Sequence, residues 1–403
     1  MTSPTEDFTP DAGIRITGVS TLVVNADLRN WVFVRVETDQ AGLYGWGEAT
    51  LEWKTRGVVG AVEDLAPLLI GRDPRDIENN VRALRKHGFW RLGALGETAI
   101  SGIELALWDI FGKSVGLPVW RLLGGRVRDT VAVYTHLGLG HADKVYGAIE
   151  PNSVADMAEE VVGKGYRALK VLVVPYTHMT VTGQGLAQAE TAMAAIRERV
   201  GADVEIMVDF HGRCGSASAA RAYIEVLAPF RPLFVEEPLQ PADVNGLIEL
   251  SKTTSVPIAT GERLIGRAEF EPLFTHRALS VAQPDICHTG GLLETKAIAA
   301  MADMAGVGMA PHNPLGPIAG AAALHFAVST PNFVMQEEMS GAVPWFHEVV
   351  KGPIRMVDGH WQVPTAPGLG VEIDMDVAAR HPYVQEPFIA EGARLPDGTI
   401  VDW

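Results

Sequence analysis

The amino-acid sequence predicts an α/β protein, a (β/α)8-type TIM barrel with an N-terminal α+β capping domain. Eight short apolar runs alternate with helical or loop segments, which is typical of parallel strand–helix units. The last six runs end in polar residues at steps of 27, 26, 23, 27 and 25 residues, the length of one such unit. Eight units favour a closed barrel over an open doubly wound sheet, which normally has fewer. The runs lie at 131–136, 168–174, 204–210, 232–236, 257–260, 279–283, 306–310 and 333–336.

The N-terminal part of the chain has a different pattern. Residues 14–25 and 31–50 have the composition of strands, with a turn at Asp39–Gly42, and they predict an antiparallel sheet. Three helical patterns follow, at 57–70, 76–90 and 97–115. The expected domains are a capping domain over 1–127, a barrel over 128–350, and a C-terminal segment over 351–403 that completes the capping domain.

The composition excludes several classes of partner. The chain has 33 basic and 49 acidic residues, a net charge of −16, and no basic stripe, so we expect no nucleic acid partner. It has no run of about 18 apolar residues and begins with polar and acidic residues, so neither a membrane partner nor export is expected. Cys214 and Cys287 lack the spacing of a zinc or redox motif, which favours packing roles in a reducing, cytoplasmic environment.

Three acidic residues, Asp209, Glu236 and Glu262, end three consecutive barrel runs. The carboxyl ends of barrel strands meet at one mouth, where the active sites of such barrels lie. Neighbouring buried carboxylates repel one another and are costly to desolvate, so this arrangement calls for a cation. Hard oxygen donors without cysteine or paired histidine favour Mg²⁺. The sequence therefore predicts a Mg²⁺ site at the barrel mouth.

Two histidines are candidates for proton transfer at the same mouth. His211 lies two residues after Asp209, so strand alternation places both on one face. His312 ends the seventh run and Asp285 ends the sixth, so the two are expected to be adjacent around the barrel. A carboxylate beside an imidazole makes it more basic and fixes its tautomer.

Other polar residues near these positions have simpler explanations. Glu237 alternates to the opposite face from Glu236 and is expected to be structural or supporting. A single barrel histidine is more often structural, which we expect for His276 and His325. His288 lies three residues past Asp285, and the sequence favours neither a place at the site nor a cap on the next helix.

At these residues the sequence resembles the enolase superfamily, in its mandelate racemase-like subgroup, and within it the D-galactonate dehydratases. The resemblance covers nearly the whole chain, and motifs this long and in this order are highly specific. The segments that carry it are Gly45-Trp46-Gly47-Glu48, Ala106 to Ile110, Asp209-Phe210-His211-Gly212-Arg213, Pro232 to Pro238, Gly261-Glu262-Arg263, Gln283-Pro284-Asp285, Ala310 to Pro317 and Pro367 to Asp374.

The resemblance implies roles for the candidate residues. The three strand-end acids would bind Mg²⁺, which in turn binds the substrate carboxylate. His312 would be the general base for the proton α to the carboxylate, oriented by Asp285, and His211 the general acid for the leaving 3-hydroxyl. Lys170 would stabilise the carboxylate, and Glu337 is expected to make a hydrogen bond at the carboxylate or enolate.

One position departs from the racemases of this subgroup, which carry Lys-x-Lys at the second barrel strand. Here the run reads Lys170-Val171-Leu172, and a leucine cannot accept a proton. Racemisation by two opposed bases is therefore not expected, and dehydration that uses His211 and His312 is favoured.

The resemblance implies a Mg²⁺-dependent dehydration of an acid sugar such as D-galactonate, which gives a 2-keto-3-deoxy sugar acid. Two alternatives stay open, an epimerase or cycloisomerase of a related sugar acid and a non-catalytic barrel that binds acid sugars. Segments near 26–31 and 48–56 are expected to close over the mouth and read the substrate. Relatives of this kind are commonly multimeric, so we expect a homo-oligomer.

Overall fold

The structure is a computed structural model that describes residues 13–137, 149–387 and 392–402. It confirms the predicted fold class, since a small antiparallel sheet precedes a parallel α/β barrel. The outer limits of the predicted domains, residues 1 and 403, lie outside the described ranges, and the division into domains stays a prediction. Within these ranges no helix is long and apolar enough to cross a membrane.

The N-terminal sheet is a three-stranded antiparallel meander in the order β1-β2-β3. Helix α3 packs directly against the backbone of β3 at two glycines. A Cβ at Gly45 would lie 2.0 Å from the Ala106 carbonyl oxygen, and a Cβ at Gly47 would lie 1.9 Å from the Gly102 carbonyl oxygen, so neither position has room for a side chain. The Gly-Trp-Gly motif therefore permits direct backbone contact between sheet and helix. The elements are β1 (Ile16–Ala26), β2 (Arg29–Thr38), β3 (Tyr44–Glu48), α1 (Thr55–Leu65), α2 (Ile77–Lys86), α3 (Gly93–Val115) and α4 (Val119–Leu122).

Among the described residues, eight parallel strands form the barrel, one for each predicted run. They are β4 (Thr130–His136), β5 (Ala168–Val171), β6 (Glu205–Asp209), β7 (Val235–Glu236), β8 (Ile258–Thr260), β9 (Val281–Ala282), β10 (Gly308–Met309) and β11 (Gln336–Glu337). The barrel closes where β11 pairs with β4 and where Met309 bridges to Phe333. The helices between the strands are α5 (Pro151–Gly163), α6 (Gly183–Val200), α7 (Ala217–Leu227), α8 (Val244–Ser251), α9 (Arg267–Thr275), α10 (Gly291–Ala305) and α11 (Pro317–Ser329).

A layer of side chains fills the barrel interior below its mouth. Seven of the strands or their edges each contribute one buried residue to it: Tyr134, Ala168, Met207, Phe234, Ala259, Val281 and Ala310. Small and large side chains alternate around most of this layer, which fills the interior and makes it a floor for the polar groups above.

Buried carboxylates join the N-terminal domain to the barrel. Glu48 accepts hydrogen bonds from the backbone N–H groups of Gly316 and Ala319 at 2.7 and 2.8 Å, at the start of α11. Glu104 accepts bonds from those of Leu292 and Leu293 at 2.9 and 3.0 Å, in the first turn of α10. The first N–H groups of a helix have no intrahelical partner, so these carboxylates replace local caps. Burial raises the pKa of both to about 7.

The C-terminal segment contacts both parts of the molecule. Asn30 exchanges two hydrogen bonds with the backbone of Val384, and the Trp53 indole donates to the Pro387 carbonyl at 2.8 Å. In contrast, strand β14 pairs antiparallel with β4 of the barrel. The elements here are α12 (Phe346–Val349), β12 (Val350–Lys351), β13 (Met356–Val357), β14 (His360–Gln362), β15 (Glu372–Ile373) and α13 (Met375–Ala379).

His325 has the structural role that the sequence suggested. It is buried in α11, its Nδ1 accepts a hydrogen bond from the Trp120 backbone N–H at 3.1 Å, and its Nε2 donates to the Leu369 carbonyl at 3.2 Å. Burial lowers the pKa of His325 to about 4, because the charged ring would lose its hydration. A proton on Nδ1 would also face the Trp120 N–H group.

This pKa predicts a pH dependence of stability. Between about pH 6.5 and 4 the unfolded chain binds a proton at His325 while the folded protein does not, so unfolding becomes easier as pH falls, by up to about 3 kcal/mol. His325→Asn lacks this contribution. The difference in free energy of unfolding between wild type and variant should therefore shrink as pH falls through this window, as measured by denaturant titration. A constant difference would contradict the assignment.

Candidate active site

The predicted site residues meet at the carboxyl ends of the barrel strands, around a cavity of about 480 Å³. The residues that the barrel contributes to its wall include His136, Lys170, Asp209, His211, Glu262, His288 and His312. Glu236, Asp285 and Glu337 are buried and contact these side chains from beneath. The strand-end rule therefore placed the polar groups correctly in space.

Asp209, Glu236 and Glu262 form a compact cluster, with one oxygen from each within 4.8 Å of the others. Oε2 of Glu236 and Oε2 of Glu262 are buried and have no hydrogen-bond partner among the described residues, while Oδ2 of Asp209 faces only the cationic groups of Lys170 and His211. Burial and the neighbouring acids raise the pKa values of Glu236 and Glu262 well above the usual range. Orphaned carboxylate oxygens that face one another fit a divalent cation with oxygen ligands.

Lys170 is the cation within this cluster of acids. Only 1% of its side chain is exposed, and its Nζ lies 2.7 Å from Glu236 Oε1, 2.9 Å from Glu337 Oε1 and 3.1 Å from Asp209 Oδ2. Burial alone would lower the pKa of Lys170, but the three carboxylates outweigh it and raise that pKa well above its usual value. Lys170 is therefore charged, and it also reaches the cavity wall.

His312 and Asp285 form a hydrogen-bonded pair. His312 Nδ1 lies 2.7 Å from Asp285 Oδ2, while its Nε2 lies 3.6 Å from Glu262 Oε2. Burial lowers the pKa of His312, but the bond to Asp285 and the charges of Glu337 and Asp285 raise it to about 9. Because Nδ1 donates to the carboxylate, Nε2 is the nitrogen that can exchange a proton at the cavity.

His211 lies at the end of β6, near the cluster of acids. Its backbone N–H donates to Asp209 Oδ1 at 2.9 Å, and its Nε2 lies 3.4 Å from Asp209 Oδ2. Burial would raise the pKa of Asp209, but the charges of His211 and Lys170 outweigh it and hold that pKa well below the usual range. The backbone at His211 has a φ of 49°, a conformation that non-glycine residues rarely adopt and that is often found at functional sites.

Glu237 follows the strand-end acid Glu236 and also lines the cavity, so it does not lie on the opposite face that strand alternation predicted. It pairs with the Arg263 guanidinium at 2.6 Å, and its own side chain is almost fully buried. Arg263 thus balances most of the charge of Glu237, although Glu237 still contributes to the raised pKa of Glu262 after the larger effect of burial.

His136 is a site residue that the sequence reasoning missed. It ends β4, is 7% exposed, and its Nε2 lies 2.7 Å from Glu337 Oε1. Lys170 and His136 hold the pKa of Glu337 well below its usual range against the effect of burial, so Glu337 is ionised and His136 Nε2 is the donor. Burial and Lys170 lower the pKa of His136, which favours a neutral ring. The strand-end rule, applied to the first run as well, would have found it.

The N-terminal domain supplies the other side of the cavity. The wall includes Leu28 and Arg29 from the β1–β2 turn and Leu51, Glu52 and Trp53 from the segment after β3. The structure thus places both predicted substrate-reading segments at the mouth. Arg29 Nε lies 3.4 Å from Glu52 Oε1 in an ion pair that is largely buried.

Asp285, His288 and His312 also have ligand atoms within 4.8 Å of one another. Their contacts indicate hydrogen bonding instead of a metal. The 2.7 Å separation of His312 Nδ1 and Asp285 Oδ2 is a normal hydrogen-bond length, and His288 Nε2 is bonded to the Thr50 carbonyl.

A barrel with strand-end acids and a separate capping domain defines a class of enzymes, and comparisons with known proteins identify it. Residues 153–377 match the family described as enolase C-terminal domain-like, and residues 14–124 match the mandelate racemase/muconate lactonizing enzyme N-terminal domain. The chain belongs to this family of the enolase superfamily, which confirms the resemblance seen in the sequence.

Its relatives include named dehydratases. The chain is 38% identical to the D-galactonate dehydratase of Xanthomonas euvesicatoria pv. vesicatoria over 93% of this chain and 96% of that protein. It has the same identity and coverage with the D-galactonate dehydratase of Klebsiella pneumoniae. A solved structure from Pantoea ananatis, an enolase with bound D-gluconate and Mg, is 30% identical with a TM-score of 0.85, covering 96% of this chain and all of that one.

The cluster of acids predicts selective effects on cation binding. Glu236→Gln removes one charge from the cluster and should weaken Mg²⁺ binding at least about tenfold, as measured by calorimetry. Glu237→Gln is the matched control, because the adjacent side chain is equally buried but pairs with Arg263. Equal weakening in both variants would contradict the proposed ligand set.

Proposed function

We propose that the protein is a sugar acid dehydratase, a hydro-lyase that forms a 2-keto-3-deoxy sugar acid and water. The observation that carries the proposal is the placement of two histidines, His211 and His312, on one cavity wall with the cluster of three acids. Binding alone does not need two proton-transfer groups, so this arrangement favours catalysis over a non-catalytic barrel. The named relatives support the same reaction class.

The cofactor that fits the cluster of acids is Mg²⁺, held by Asp209, Glu236 and Glu262. Their carboxylate oxygens are hard donors, those of Glu236 and Glu262 include unpartnered ones, and the Pantoea ananatis structure contains Mg together with a sugar acid. When bound, the ion would supply positive charge at the substrate carboxylate and so make the α-proton more acidic. It would also lower the pKa of His312, since a cation disfavours a second positive charge nearby.

His312 is the base in this proposal. Its Nδ1–H is held by Asp285, which leaves the Nε2 lone pair directed to the cavity side where Glu262 lies. The α-proton passes to Nε2, and the electron pair of the broken C–H bond moves toward the carboxylate. The Lys170 ammonium lies at the cavity wall and balances the negative charge that develops there.

His211 is the acid. The enolate expels the hydroxyl group on C3, and His211 donates the proton that converts the leaving group to water. The resulting enol becomes the 2-keto acid by tautomerisation. Leu172, just beyond β5, stands where the racemases of this subgroup have their second lysine, and a leucine cannot transfer a proton. This supports elimination over racemisation by two bases.

D-galactonate is the first candidate substrate, because relatives that cover nearly the full chain bear that name. D-gluconate, which differs from D-galactonate only in configuration at C4, is the second, because a neighbouring structure contains it. Incubation of the Mg²⁺-loaded protein with a panel of aldonic acids, scored for 2-keto acid formation, tests both. Formation of an isomer without keto acid would favour the epimerase alternative.

Substitutions of the two histidines should have different effects on dehydration and on exchange of the α-proton. His312→Asn should abolish both dehydration and exchange of the α-proton with D₂O, because the base is lost. His211→Asn should abolish dehydration yet retain some exchange through His312. A general acid or base contributes about 10²- to 10⁴-fold, so each loss is measurable by mass spectrometry and keto-acid assay.

The Mg²⁺ affinity of each variant, measured by calorimetry, is the control for this test. If a variant no longer binds the ion, its loss of activity cannot be assigned to proton transfer. If His211→Asn abolishes exchange while His312→Asn retains it, the base and acid are reversed.

A further inference from the structure

His288 lies between the capping domain and the Asp285–His312 pair. It belongs to the loop between β9 and α10, is 6% exposed and lines the cavity. Glu104, and not His288, accepts the hydrogen bonds of the free N–H groups at the start of α10, so the structure favours a place at the site over a cap on this helix. None of the steps derived above uses His288.

One end of the His288 ring is fixed to the capping domain. Its Nε2 lies 2.9 Å from the backbone carbonyl oxygen of Thr50. A carbonyl oxygen only accepts hydrogen bonds, so Nε2 carries a proton and donates it. This sets the orientation of the whole ring.

Thr50 is itself firmly held. Its hydroxyl donates to Glu48 Oε1 at 2.7 Å and accepts from the Val32 backbone N–H at 3.0 Å. The next three residues, 51–53, form part of the cavity wall. Thr50 is therefore a fixed point at the base of a segment that would contact the substrate.

The other end of the ring faces Asp285. His288 Nδ1 lies 3.6 Å from Oδ2, the oxygen that His312 Nδ1 contacts at 2.7 Å. The second oxygen, Oδ1, accepts a hydrogen bond from the Cys287 backbone N–H at 2.7 Å. His288 thus borders the one carboxylate oxygen that orients the proposed base.

We propose that His288 is a positioning residue that bridges the capping domain, through the Thr50 carbonyl, to Asp285 and so holds His312 in the orientation for α-proton removal. The proposal rests on the function proposed above. It gives residues 51–53, which line the cavity from the capping domain, a physical connection to the proposed base on the barrel. This bridge requires both the hydrogen bond of Nε2 to Thr50 and the contact of Nδ1 with Asp285.

Three substitutions separate the two ends. His288→Gln places an amide nitrogen near Nε2 and can keep the bond to Thr50, His288→Asn places one near Nδ1, beside Asp285, and His288→Leu removes both. Each should lower kcat for α-proton exchange by about 10- to 100-fold with little change in KM or in Mg²⁺ affinity, because the base is misoriented while the cation site is intact. His276→Gln, at an exposed histidine beyond α9, is the control.

Retention of the wild-type kcat by either His288→Gln or His288→Asn would overturn the bridge, since one end would then suffice. A double-mutant cycle provides a second test. Because His288 acts through Asp285, adding His288→Leu to Asp285→Asn should cost nothing further in the exchange rate. Fully additive losses would mean that His288 acts independently of Asp285, against the proposal.

Nuclear magnetic resonance of protein labelled with ¹⁵N in histidine tests the contact without substrate. His288→Leu should shift the ring nitrogen signals of His312, and His276→Gln should not. Unchanged His312 signals would overturn the proposal. If the wild-type protein exchanges the α-proton of no sugar acid, the proposed function fails, whereas this measurement still decides whether His288 positions His312.

Discussion

The ion pairs of Lys170 are the interaction on which the arrangement of the site depends. Its ammonium lies within 3.1 Å of three buried carboxylates that come from three different strands. Without this charge, their mutual repulsion and desolvation would oppose closure of the barrel mouth. One ammonium nevertheless leaves the group of Asp209, Glu236, Glu262 and Glu337 with excess negative charge. A divalent cation at this position, as proposed above, would supply the missing positive charge.

The same distribution of charges sets which histidines at the site favour the protonated form. The acids around His312 favour its protonated form. The proposed cation would oppose them and so lower the basicity of this ring when bound. His136 has the opposite balance, since burial and then the charge of Lys170 outweigh the effect of Glu337 and lower its pKa. The two histidines therefore have different protonation preferences, set by their burial and their neighbours.

Most of the barrel and its acids could be predicted from sequence because they depend on local pattern. The 23- to 27-residue spacing of polar strand ends brought Asp209, Glu236, Glu262, Asp285, His312 and Glu337 to one mouth. Contacts between distant segments could not be predicted in this way. The bond from His288 to Thr50 joins residues 238 positions apart, and the Arg29–Glu52 pair depends on how two turns approach each other. Strand bounds were also overestimated where apolar residues continue into buried loops, as after Val171.

The carboxylates of Glu48 and Glu104 have a consequence for how this architecture can evolve by recombination. Each is supplied by one domain and completes the first turn of a helix in the other, helices that make no side-chain cap of their own. A capping domain transferred from a relative brings its own substrate-reading segments, but it is compatible only if it carries acids at both positions. Substrate preference can therefore diverge at cavity-lining residues of the capping domain such as Leu28 and Trp53. Exchange of the whole capping domain, in contrast, requires that the acids at the positions of Glu48 and Glu104 are kept.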